Sequence, residues 1–381
     1  MANKYALILS GGAARGAYEV GVLKYIFQEL PLIYGKMPEF QIICGTSVGA
    51  IHACFLAAHL SNVTVELDRL EKLWTELSPS KVVTVDFRQL FRIKELLLGG
   101  NRGVGLLDVN PLATLLTREG SYDKISGTIN SGKLDTLCVS TTSARTGQTI
   151  VFSESKQPLP NPVFRTEFRS ADITLQHALA SASIPILFAP IQIGGEWFTD
   201  GGVRQNTPMV PALGYGATHT LSIGLWHNKK YNSSPRIDDS PSIGCLLGKI
   251  FNSFFIDHAH VDVHSLEHIN NIIGEGVKKY GVEFAEHMAN QSRPYKYINS
   301  CSISPSMDIG RIAATYLSKA TIKKDKIYKN LLKLIDLGTI EADLASYLLF
   351  DGEFSKLLIE LGFQDARARQ HELAQFLGID E

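Results

Sequence analysis

A G-x-S-x-G pentapeptide, Gly45-Thr46-Ser47-Val48-Gly49, stands between an apolar run, Phe40 to Cys44, and a helix-like run, Ala50 to Leu60. A strand that turns sharply into a helix with serine at the apex is how a sheet fold holds a hydroxyl out for nucleophilic attack. The glycines remove side chains that would block the turn, and they leave room for a substrate acyl carbon. Glycine and serine are common in loops, so the surroundings decide whether Ser47 is a nucleophile.

The chain opens on Tyr5-Ala6-Leu7-Ile8-Leu9, a short apolar run that suits a buried strand. Ser10-Gly11-Gly12-Ala13-Ala14-Arg15-Gly16 follows, and Ala17 to Leu30 then carries apolar residues at helical spacing. A glycine-rich turn opening a helix presents backbone N–H groups and the positive end of the helix dipole to an anion. The anion is either a nucleotide phosphate or the oxyanion of a tetrahedral intermediate. The spacing matches neither G-x-G-x-x-G nor G-x-x-x-x-G-K-[ST], which disfavours the nucleotide. A third element, Phe198-Thr199-Asp200-Gly201-Gly202, follows the apolar run Pro190 to Ile193 and the turn Gly194-Gly195. An aspartate in a glycine turn ordinarily bonds its own backbone. Here a serine and an anion cradle already await a base.

In these three elements the chain resembles the patatin-like phospholipase family, whose pattern is G-G-x-x-R-G, then G-x-S-x-G, then D-G-[GA]. They are present in that order as Gly11 to Gly16, Gly45 to Gly49, and Asp200-Gly201-Gly202. Gly105-Leu106-Leu107-Asp108, Ala180 to Pro190 and Tyr347 to Asp351 are also similar, so the likeness runs over nearly the whole chain. Many relatives carry a third glycine where this chain has Ala13. Alanine keeps its N–H, and a positive φ there would add ~1 kcal/mol of strain.

The resemblance implies a three-layer α/β/α sandwich around a mostly parallel sheet. It implies a Ser47–Asp200 dyad with no intervening histidine, and an oxyanion hole from the Gly11, Gly12, Ala13 and Ala14 amides. Arg15 and Gly16 support that loop, Gly45 and Gly49 shape the elbow, and neither cofactor nor metal is needed. The implied substrate is a phospholipid, lysophospholipid or other lipid ester, met in transient contact with a membrane surface. A non-catalytic patatin-like module that binds lipid or protein is the alternative from another class, but it has no need of both Ser47 and Asp200. The mechanistic rival is a Ser-His-Asp triad in the order Ser47, Asp200, then His219 or His227. Position argues against it, since the residues before Gly45 hold about two strands and one helix, fewer than an α/β-hydrolase places before its elbow.

Composition fits one compact enzyme: 381 residues, 45% hydrophobic and 20% charged. Lys plus Arg number 37 against 38 Asp plus Glu, so no broad basic face points to nucleic acid. Cys44, Cys54, Cys138, Cys245 and Cys301 lack metal or disulfide spacing. Cys44 in the strand before the elbow and Cys54 in the helix after it read as buried thiols. An odd cysteine count with no secretory signal fits a reducing compartment, and the expected location is cytoplasmic, with the peripheral membrane contact that a lipid substrate requires. The apolar core Tyr5 to Leu9 is too short for a signal peptide. The longest apolar stretch, Ile42 to Leu60, contains the elbow, His52 and His59, and reads as core rather than membrane span.

Strand-like runs alternate with helical ones to about residue 225, which argues for a helix-covered central sheet. Leu134 to Thr141, Gln148 to Phe152 and His219 to Leu225 read as strands, and Asp172 to Ser181 as a helix. Residues 1–225 are thus the expected catalytic domain, and 226–381 a mainly helical region packed on it. Two amphipathic segments, Phe87 to Leu98 and Cys245 to Ile256, are candidates for lying on lipid or packing on the core. The basic residues of the first and its neighbour Gly99 to Gly103 suit a hinged lid. His260, His264 and His268 would share one helix face, but H-E-x-x-H is absent and a solvated or pairing face is expected.

Overall fold

The computed structural model describes residues 3–82, 84–85, 107–163, 165–227, 258–291, 295–319 and 343–380. The segments Phe87 to Leu98, Gly99 to Gly103 and Cys245 to Ile256 lie outside the described residues, as do Cys245 and the side chains of His260 and His264. In chain order the strands are β1 (Tyr5–Leu9), β2 (Ile42–Thr46), β3 (Thr84–Val85), β4 (Leu107–Asp108), β5 (Thr136–Ser143), β6 (Thr149–Ser155), β7 (Thr166–Ser170), β8 (Ile191–Ile193), β9 (Glu196–Asp200), β10 (His219–Ile223) and β11 (Asn299–Ile303). The main sheet runs β11-β10-β1-β2-β5-β6-β7, while β3 and β4 form a separate ribbon. The first five strands of that order are mutually parallel. β6 turns back antiparallel to β5, and β7 runs with β6.

Parallel strands buried on both faces read as near-continuous apolar runs, as β1 and the Ile42-Ile43-Cys44 stretch of β2 do. Alternate residues feed opposite cores: Leu7, Leu9 and Ile43 pack on one face, and Ala6, Ile8, Ile42 and Cys44 on the other. The first face is covered by α1 (Ala17–Lys24), α3 (Val48–His59), α4 (Val63–Thr75) and the helix Gly352–Ala368. Met209–Gly214 and the helix His258–Tyr280 cover the second through Met209, Ala212 and Leu266. The three-layer sandwich is therefore present. The stretch Val48–Thr75 is apolar enough to span a membrane by composition, but 67% of its most apolar window is buried inside the protein, so it serves as core.

Two elements differ from expectation. The Ala17 to Leu30 pattern gives α1, then a wider π turn over Tyr25–Glu29, then α2 (Leu30–Tyr34). Pro31, without an N–H, cannot close the usual bond to Phe27, and a widened turn accommodates it. The second difference is β11, which pairs with β10 from within the region expected to be mainly helical. The sheet thus continues beyond residue 225. Asn299-Ser300-Cys301-Ser302-Ile303 is a half-exposed edge strand, too short and polar to announce itself by hydrophobicity.

The helix Gly352–Ala368 crosses α1 at backbone contact. A Cβ on Gly21 would collide with Ile359 O, and one on Gly362 with Tyr18 O. Gly21→Ala is expected to force these helices apart, at roughly 2–3 kcal/mol. Thermal unfolding should show a Tm at least about 4 °C lower. An unchanged Tm would mean that the crossing yields without loss.

Candidate active site

β2 ends at Thr46 and α3 begins at Val48, so Ser47 alone makes the turn, at φ 56 and ψ −125. Such a backbone costs a non-glycine residue of order 1–3 kcal/mol and persists only where neighbours enforce it. The enforcement comes from close crossings. A Cβ on Gly45 would strike Gly49 O, and a Cβ on Gly49 would strike Leu9 O. Both glycines of the pentapeptide are therefore steric requirements.

The partner arrives end-on. β2 pairs with β5 as far as Thr46 opposite Ser140, and β9 takes the next place, Asp200 opposite Thr141. β6 occupies the other edge of β5. β9, antiparallel to β5, therefore points its last residue at the end of β2. Ser47 Oγ donates to Asp200 Oδ2 at 2.6 Å, and the Gly202 N–H donates to Oδ1 at 2.7 Å. Asp200 is fully buried. Burial pushes its carboxyl up to about 7, against the opposing pull of the Ser47 and Gly202 hydrogen bonds.

The glycine-rich loop lies against this pair. A Cβ on Gly11 would collide with Asn206 Oδ1 and come within 3.1 Å of Ser47 Cβ. The Gly11 N–H is already given to Asn206 O at 3.1 Å. Gly11 therefore contributes close approach, and the Gly12, Ala13 and Ala14 amides carry no bond to a described residue. Ala13 takes φ 48, a glycine-type conformation held by alanine. Gly16 has no room for a side chain beside Val48. Arg15 is buried and faces the C-terminal region: its Nε donates to Ser346 Oγ at 2.8 Å, and its guanidinium lies 3.9 Å from the centre of the Tyr347 ring.

Several supporting residues carried no sequence assignment. Ser181 Oγ accepts the Ser47 N–H at 2.8 Å and donates to Ser140 O at 2.6 Å. Ser183 O accepts the Asp200 N–H at 2.8 Å and the Thr199 hydroxyl at 2.6 Å. Asn206 Nδ2 donates to Gly11 O at 3.1 Å, while Thr46 Oγ1 donates to Gln205 O at 3.0 Å. The Ser181 to Ser183 and Gln205 to Asn206 segments thus clamp Ser47, Asp200 and the glycine-rich loop together. Their traces in the sequence, Ser-Ala-Ser after a helix and Asn-Thr-Pro after Asp-Gly-Gly, have no meaning without the contacts.

The histidines of the triad lie elsewhere. His219 starts β10 and packs on Tyr5 at a tilt, with ring centroids 4.5 Å apart. His227 Nδ1 bonds Pro305 O at 2.9 Å. His177 closes a capping box with Thr174, and burial pushes its pKa down to about 4. His268 is exposed, and among the described residues no group of three His, Cys, Asp or Glu could hold a metal ion.

A cavity opens from Ser47 between α3 and α4, walled by Ile51, Phe55, Leu70, Trp74, Leu116 and Phe188 among others. Its lining is almost wholly apolar, with Glu119 and Tyr122 among the few polar members. A hydroxyl, a carboxyl able to take its proton near neutrality, and an apolar cavity together suit acyl transfer from an ester with a hydrocarbon tail.

Architecture and elbow define an α/β/α sandwich protein with a serine at a strand-to-helix turn. The chain belongs to the patatin-like phospholipase family, whose model matches residues 7–213, more than half of its length. That membership makes it a member of a family of lipid acyl hydrolases. No curated protein matches it. Among solved structures it is similar to VipD from Legionella pneumophila, at 12% identity and a TM-score of 0.38, over 97% of this chain and 67% of that one. So slight a likeness adds nothing to the site.

Proposed function

We propose that the protein hydrolyses fatty-acyl esters of phospholipids or lysophospholipids through a Ser47–Asp200 dyad. The observation that carries this reading is the 2.6 Å hydrogen bond from a strained Ser47 to a fully buried Asp200. Ser47 Oγ attacks the ester carbonyl carbon as its proton passes to Asp200 Oδ2. The Gly12, Ala13 and Ala14 amides receive the oxyanion, each such donor being worth ~3 kcal/mol. Collapse expels the alcohol, which takes the proton from Asp200, and leaves the acyl group on Ser47. Water, deprotonated by Asp200, then releases the fatty acid and restores the serine.

The apolar cavity holds the acyl chain while the head group stays at the membrane surface, which the protein meets transiently. Four free, buried cysteines, Cys44, Cys54, Cys138 and Cys301, support work in a reducing, cytoplasmic compartment.

The test is fatty-acid release from mixed phospholipid vesicles, run beside hydrolysis of a soluble short-chain ester. Release from vesicles is expected, with the lipid consumed defining the head-group preference. Turnover of the soluble ester alone would mean a competent dyad that needs an activator or an opened entrance. Silence on both would replace the hydrolase with a binding module.

A further inference from the structure

The dyad uses no histidine, yet His52 stands in the cavity wall beside Ser47. It lies on α3, fully buried, and so does Glu19 on α1. His52 Nδ1 is 2.7 Å from Glu19 Oε2, and Trp74 Nε1 donates to His52 Nε2 at 3.0 Å. An indole N–H only donates, so Nε2 is the accepting nitrogen and the imidazole proton sits on Nδ1, given to Glu19. Glu19 Oε1 accepts the Ser10 N–H at 2.9 Å.

These contacts surround the glycine-rich loop. Ser10 precedes it, Glu19 lies in the first turn of the helix that follows it, and one carboxylate spans the two. The loop also leans on the imidazole: a Cβ on Gly16 would come within 3.2 Å of His52 Cε1. Both ring nitrogens are engaged, so His52 is neither a base for Ser47 nor a metal ligand here. Apolar side chains would fill this space at less desolvation cost than a carboxylate and an imidazole. What the polar groups add is direction, since each bond fixes one element against another.

We propose that Glu19, His52 and Trp74 are positioning residues, a hydrogen-bonded relay that holds the oxyanion loop in register with Ser47 and ties it to the acyl-cavity wall. The proposal rests on the ester-hydrolase reading of Ser47 and Asp200. None of the three touches the reacting atoms. Their loss is therefore felt in turnover rather than in substrate binding.

The experiment compares wild type with Trp74→Phe, His52→Gln, Glu19→Gln and the Glu19→Gln/His52→Gln double variant. It measures kcat and KM on a soluble short-chain ester, the rate of Ser47 phosphonylation by an alkyl phosphonate, and Tm. Phosphonylation places a P–O oxygen where the oxyanion forms, so it reads the loop's geometry, which a purely structural change would leave alone. Each single variant should lose roughly 10- to 100-fold in kcat and in phosphonylation rate together, the scale of a catalytic group displaced by about 1 Å. KM should stay within about threefold, and the double variant should be no worse than its poorer parent, because both break one network.

Trp74→Phe keeps an aromatic ring but removes the N–H together with part of the indole, so its rate is read against its Tm, and it carries the test should Glu19→Gln fail to fold. A raised KM with unchanged kcat and phosphonylation would overturn the relay and leave these residues as cavity lining. Additive losses in the double variant would overturn it too. Wild type labelled at Ser47, with variants labelled equally fast, would sink the relay alone. Wild type not labelled at Ser47 would sink the hydrolase reading and the relay with it.

Discussion

Ser47→Ala is expected to lower hydrolysis of every ester by at least ~10³-fold, the usual scale for loss of a nucleophile. Among the described residues no other hydroxyl is hydrogen-bonded to Asp200 Oδ2. Ser181 is spent between the Ser47 N–H and Ser140 O. The fold should survive, because alanine bears φ 56 no worse than serine and the turn is enforced by Gly45, Gly49 and the Ser181 bond, which need only the backbone. Steady-state kinetics beside circular dichroism check both halves. A folded Ser47→Ala protein with more than a tenth of wild-type activity would remove Ser47 from the chemistry.

Asp200→Asn should act in opposite directions on activity and stability. The base is lost, so turnover falls by at least ~10³-fold. The shape is kept: an asparagine can accept the Gly202 N–H on Oδ1 and donate to Ser47 Oγ from Nδ2, in place of the two bonds Asp200 accepts. What disappears is a buried charge. A carboxyl held at about 7, against an ordinary 3.8, binds its proton more tightly in the folded state than in the unfolded one. From about pH 4 to pH 7 the unfolded chain has released this proton while the folded protein keeps it, so wild-type stability declines across that window and levels off above it. The whole difference amounts to roughly 4 kcal/mol. Asp200→Asn should therefore melt several degrees above wild type at pH 8, with the gap closing toward pH 4. An Asp200→Asn protein that melts below wild type at pH 8 would contradict the buried charge. In the proposed dyad the same ionisation sets the wild-type rate: kcat/KM should rise with pH through about 7 and then level, since only the carboxylate can take the Ser47 proton.

How much was legible beforehand follows from the range of each interaction. The elbow was legible because the two glycines its turn requires lie within two positions of Ser47, although Leu9 and Ser181, which hold that turn, do not. The same holds for the Gly11 to Gly16 turn and for Asp200-Gly201-Gly202, where the Gly202 N–H bonds Asp200 two residues away. β1 and β2 were legible because a strand buried on both faces favours a near-continuous apolar run. The site's frame was not. Ser181, Ser183 and Asn206 act by contacts with residues far away in the chain. Glu19 carried no sequence assignment, and His52 read only as part of a core stretch; their side chains meet at 2.7 Å. Gly11 was read as an amide donor, whereas its N–H belongs to Asn206 and its use is the side chain it lacks.

By itself the sequence determined the local conformations, because sterics and glycine act over a few residues: a serine on a strained turn, an amide-rich loop opening a helix, an aspartate in a glycine turn. Only the tertiary structure decided that they form one site. Ser47 and Asp200 are 153 positions apart, and they meet because β9 continues the line of β2 along the same edge of β5. That placement is a property of strand order, set by the packing of the whole sheet, and no short stretch of chain encodes it.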